Sequence, residues 1–162
     1  MPDEFNGLPL HPLAVHAAIA LVPLAGVLGV LFAVPRTRAW ARWPLPLVAV
    51  AAVAATYVAR VTGEALNRVG GLNTSGIGGP AADLIAEHEE ASTVLFVLVI
   101  GYAVVAVGAL LLTRTSVLGT PAHAVSALLV VGALLLSYWI YRVGDLGAQA
   151  VWDPAGTVDY GS

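Results

Sequence analysis

Four histidines, ten acidic residues and seven arginines carry the ionisable chemistry of a chain that has no cysteine. Their spacing groups them. His11 and His16 are five residues apart, and Arg60 and Glu64 are four apart. Glu87, His88, Glu89 and Glu90 form one run, and Arg142 precedes Asp145 by three. Imidazole and carboxylate donors from facing helices are a metal-ligand set, and two imidazoles can also hold a haem b iron axially. His and Glu can equally relay protons. The missing thiol excludes disulfides, thiolate metal sites, cysteine-ligated iron–sulfur clusters and c-type haem attachment. Any metal must use His, carboxylate or Met, and Met1 is the one methionine.

The elements that position these residues are membrane spans. Hydrophobic residues make up 59% of the 162 positions, charged residues only 10%, and mean hydropathy is +0.86. Soluble domains carry roughly 25% charge, so lipid must be the main solvent here. A net charge of −3 argues against a nucleic-acid partner. A spanning helix needs about 20 apolar residues, and the pattern predicts four, over about 10–34, 44–66, 91–113 and 121–143. The third extends outward as a polar helix to about Pro80. Pro23 predicts a kink in the first span, and the glycine-rich stretch 70–80 reads as a loop. Gly26, Gly29, Gly101, Gly108 and Gly132 would let helices approach closely. A cleaved signal peptide is not expected, because Asp3 and Glu4 precede the first apolar run without a basic segment. The fold class is all-α: one domain, an antiparallel four-helix transmembrane bundle with short connections.

Arginine placement sets the expected orientation. Arg36, Arg38 and Arg42 lie between the first two spans and Arg114 between the last two, with no acid in either loop. Those loops should be cytoplasmic, giving an N-out/C-out, multi-pass protein of a bacterial inner membrane. His16, Arg60, Glu64, His88, Arg142 and Asp145, from all four spans, then converge on the outer end. His16 lies roughly 9 Å below the start of its helix. Ionisable groups at membrane depth tend to face the bundle interior and pair with one another. His16 and His88 are the expected ligand pair, with Glu64 as third ligand or orienting group and Arg60 or Arg142 meeting haem propionates. Plainer readings stand beside these. Arg60–Glu64 and Arg142–Asp145 read as interfacial ion pairs, and His11 as an N-cap beside Pro12. Glu87 to Glu90 read as a solvated first turn complementing the helix dipole, and His123 as interfacial. Trp40, Trp43, Tyr138, Trp139, Tyr141 and Trp152 read as interface anchors.

The segments GLPLHPLAVHAAIALVPLAG (from Gly7), TGEAL (Thr62 to Leu66), AEHEEAS (around His88) and YRVGDLGAQAVW (ending at Trp152) together resemble the DUF2231 family of predicted bacterial membrane proteins. The resemblance runs from Gly7 to Trp152 and implies four spans. The family's recurring positions match His11, His16, Glu64, His88, Glu89, Arg142 and Trp152. Some relatives look like fusions to a Rieske-type iron–sulfur domain, which implies redox company. Without cysteine, and with no such domain, this chain cannot carry that cluster.

Three readings remain open. The leading one is a haem- or metal-binding membrane protein, for electron transfer or an accessory role beside a respiratory partner. The second is a non-catalytic accessory or assembly subunit whose polar cluster locks the helices. The third is a small proton- or ion-coupled transporter, which the lack of an internal repeat or discontinuous helix disfavours. Oligomeric state stays open. No nucleophile–base pair, phosphate loop or zinc-protease motif is present, so an enzyme is not indicated.

Overall fold

The computed structural model describes residues 4–5, 8–69, 80–114 and 120–153. The glycine-rich stretch 70–79 lies outside the described residues, as do the side chains of Arg68 and Arg114. A two-residue antiparallel ladder comes first. β1 (Glu4–Phe5) pairs with β2 (Leu8–Pro9), with Phe5 opposite Leu8. Helices follow: α1 (Leu10–Ala33), the one-turn α2 (Arg38–Ala41), α3 (Pro44–Val69), α4 (Pro80–Arg114) and α5 (Thr120–Trp152). Among the described residues, four of them are long and apolar enough to cross a membrane. Lipid offers no partner to peptide groups, so each spanning segment must satisfy its own backbone, which a helix does.

Helix ends follow local chemistry. Pro12 and Pro46 sit in first turns, and Pro44 and Pro80 open their helices. α1 runs through Pro23 unbroken and stops before Pro35. Arg38 closes that end: its Nε donates to Phe32 O (3.0 Å), and its Nη2 donates to Ala33 O (3.2 Å) and Ser126 Oγ (3.3 Å). A cation on the last carbonyls satisfies acceptors that α1 cannot use. α5 departs from expectation. It continues to Trp152, well past Val143, and Leu146 is buried along the extension.

α1 packs on α3 and α5, and α4 packs on α3 and α5, so the four long helices form a ring with α1 diagonal to α4. The core between them is apolar, built on Val22, Leu45, Val99, Leu129 and Leu136. Leu47, Val104 and Leu134 point outward, each at least 67% exposed, as expected where the surroundings are hydrocarbon. Hydroxyls within the spans are absorbed locally. Thr56, Thr62 and Ser137 each donate to the carbonyl four residues back at 2.8 Å.

One polar ring enters the centre. Tyr102 of α4 is 5% exposed and donates its phenol to Ala25 O of α1 at 3.2 Å. Two glycines make the room. A Cβ on Gly29 would fall directly on the Tyr102 hydroxyl, and one on Gly132 would lie 2.7 Å from its ring. Gly26 packs against Ala133. Gly101 and Gly108 have nothing within 4 Å of an added Cβ, so these two expected contact glycines mark no close approach.

Candidate functional site

The chemistry-bearing residues gather where α1 and α4 begin and α3 and α5 end. Four helix termini meet there, and the first turns of α4 are polar (Asp83, Glu87, His88, Glu89, Glu90). Two imidazoles turn into the bundle. His11 of α1 is half-buried, and its Nδ1 lies 2.9 Å from Ala59 O of α3. His88 of α4 is half-buried, with Nδ1 3.0 Å from Val143 O of α5. A carbonyl only accepts, so each Nδ1 carries a proton, and in the neutral tautomer this selects, Nε2 keeps its lone pair. Among the described residues neither Nε2 has a hydrogen-bond partner. The two rings, from diagonal helices, lie within electrostatic reach of each other, and Glu89 is within reach of His88.

Each ring needs a glycine to get there. A carbonyl in mid-helix already serves its own helix, and it is flanked on the surface by the side chain four residues on. At both positions that residue is glycine. A Cβ on Gly63, four beyond Ala59, would come 3.0 Å from His11 Cε1 and 3.1 Å from its Nδ1. A Cβ on Gly147, four beyond Val143, would come 3.1 Å from His88 Cε1 and 3.3 Å from its Nδ1. The two halves of the bundle thus use one device twice: a histidine from the first helix of a hairpin, a carbonyl of the second, and a glycine one turn on.

The other expected site residues distribute differently. His16 is exposed on the outer face of α1, and its Nδ1 donates to Pro12 O within the same helix. The structure brings His11, not His16, toward His88. Glu64 is exposed as well. Arg60 and Glu64 do not form the expected ion pair. Arg60 Nη1 instead donates to Thr93 Oγ1 of α4 at 2.7 Å, and its guanidinium lies 5.5 Å from the Phe96 ring centre. Arg142 is half-buried, and Asp145 accepts from Gln149 Nε2 at 3.0 Å; among the described residues no ion pair joins the two. Glu89 is more than a solvated first-turn acid, because its Oε1 accepts from Asn67 Nδ2 of α3 at 2.8 Å. His123 is exposed at the opposite end.

Sequence reasoning read His11 as a cap and passed over Tyr102, Gly63 and Gly147. The one available signal was angular. Residues five apart on a helix point about 140° from each other, so His11 and His16 cannot both face inward.

The donor set defines what the site can hold. Among the described residues, no third His, Asp or Glu joins the pair to make a three-ligand group. Two imidazole donors suit a metal that brings its other ligands with it.

A family model described as a predicted membrane protein, DUF2231, matches residues 7–159. No curated protein and no solved structure matches the chain.

Proposed function

This chain belongs to the DUF2231 family of predicted membrane proteins, and from the geometry of its histidine end we propose that His11 and His88 would hold the iron of a haem b. The carrying observation is that both Nδ1 atoms are bound to backbone carbonyls of neighbouring helices, which leaves two Nε2 lone pairs at one end of the bundle. Backbone or carboxylate partners on the far nitrogen are how proteins orient imidazole ligands. A lone metal ion such as zinc takes four donors, and among the described residues the site offers two. Haem supplies four nitrogens itself and needs two from the protein. His16 and Glu64, both facing outward, leave the ligand set. Arg60 and Arg142, half-buried at the same end, would meet the propionates.

A haem held by these two imidazoles would supply one-electron redox chemistry, which would suit electron transfer or an accessory role beside a respiratory partner. The arginine distribution supports reading the histidine end as the outer face of a bacterial inner membrane. The test is a visible spectrum, oxidised and reduced, of protein made with ample haem, together with the haem-to-chain ratio. A Soret band with sharp reduced α and β bands at about one haem per chain supports the proposal. A colourless protein overturns it.

A second reading has its own observation. Tyr102 makes the same ring-to-carbonyl contact over a glycine with no donor atom left over. On that pattern the histidines would clasp the two hairpins and nothing more, as in an assembly subunit.

A further inference from the structure

At the opposite end the arginines face a different problem. All ten acidic residues of the sequence lie outside the two loops there, so Arg36, Arg38 and Arg42 have no carboxylate near them in the chain. Arg38 is occupied with the end of α1 and with Phe32, whose ring centre is 5.5 Å away. Arg36 is exposed. Arg42 is half-buried, and its Nε is buried without a hydrogen-bond partner. Its guanidinium lies 5.8 Å from the ring centre of Trp43. Trp43 is 46% exposed and Trp40 65% exposed. A buried guanidinium N–H left without an acceptor is costly, and the anion that suits an arginine's remaining N–H groups is a planar or tetrahedral oxyanion. Exposed tryptophans, Trp43 beside it and Trp40 two residues earlier in the chain, belong at the level of lipid headgroups.

We infer that Arg42, with Arg36 and the flanking Trp40 and Trp43, forms a binding site for the phosphate of an acidic phospholipid. Basic pockets at helix ends take such headgroups, and one arginine at the bilayer surface shifts binding about fivefold. The site is independent of the haem proposal, lying at the other end of the molecule and using none of its residues.

The experiment is native mass spectrometry of the full chain released from nanodiscs containing equal phosphatidylglycerol and phosphatidylcholine, with melting temperatures in each lipid alone. Wild type is expected to retain phosphatidylglycerol preferentially and to melt higher in it. Arg42→Gln is expected to lose about fivefold of that preference. Arg42→Lys, which keeps a charge but loses the fork, should fold and fall in between, so the test survives if Arg42→Gln does not fold. Equal retention of both lipids by wild type overturns the proposal, as does an unchanged preference in Arg42→Lys or Arg42→Gln. An equal melting shift from inorganic phosphate alone would assign the site to a free anion and overturn the lipid assignment.

Discussion

The histidine end and the centre of the bundle solve the same packing problem with different rings. His11 over Gly63, His88 over Gly147 and Tyr102 over Gly29 each bond a carbonyl of another helix four residues before the glycine: Ala59, Val143 and Ala25. In hydrocarbon no hydrophobic drive separates one apolar helix contact from another, so such fixed polar contacts specify which faces meet. The difference lies in what is left over. Tyrosine spends its single polar atom on the contact, and the centre becomes a buried lock. Histidine spends one nitrogen of two, and the second remains for chemistry. The same device therefore reads as structure at the centre and as a candidate ligand site at the end.

Variants can break or sharpen that contrast. The largest expected effect is at the ligands: His88→Ala or His11→Ala should abolish bis-imidazole haem absorbance while the chain still folds by circular dichroism. Next comes the lock. Gly29→Ala drives a methyl group onto the Tyr102 hydroxyl and should cost about 1–3 kcal/mol of stability, with haem content per folded chain unchanged. Gly63→Ala and Gly147→Ala are milder sterically, since each ring needs to move only a few tenths of an ångström. They should shift the spectrum and weaken haem retention by about tenfold, the range seen when a ligand's orienting contact is disturbed. Tyr102→Phe removes one interhelical hydrogen bond and should lower stability by about 0.6 kcal/mol in a bilayer, with no spectral change. His16→Ala should alter neither property, because that ring is exposed and bonded within its own helix.

Much of the fold was legible because lipid leaves few options. Apolar runs of spanning length have to be helices, and prolines and loop arginines mark where they stop. α5 was the exception. Its last turns carry Asp145 and Gln149 and lie beyond the expected span end at 143, yet they stay helical with Leu146 buried and Val143 and Gly147 against His88. The gathering of polar groups at one end was also legible, because hydropathy reports depth. Which of His11 and His16 faces inward was not, because depth says nothing about angle around the helix. The glycine beneath each ring was hidden for a further reason. Gly63 and Gly147 mean something only once α1 is known to lie against α3 and α4 against α5. The arginine ion pairs failed for a related cause. Arg60 found Thr93 and Phe96 on the neighbouring helix, contacts that no spacing within one helix could reveal.

The most direct test is the reduced-minus-oxidised spectrum of His11→Ala beside that of His16→Ala, both produced with ample haem and both shown to be folded. The account predicts that His16→Ala keeps the wild-type α and β bands and that His11→Ala loses them. Bands that survive in His11→Ala but vanish in His16→Ala would contradict it and return the ligand role to the outward face of α1.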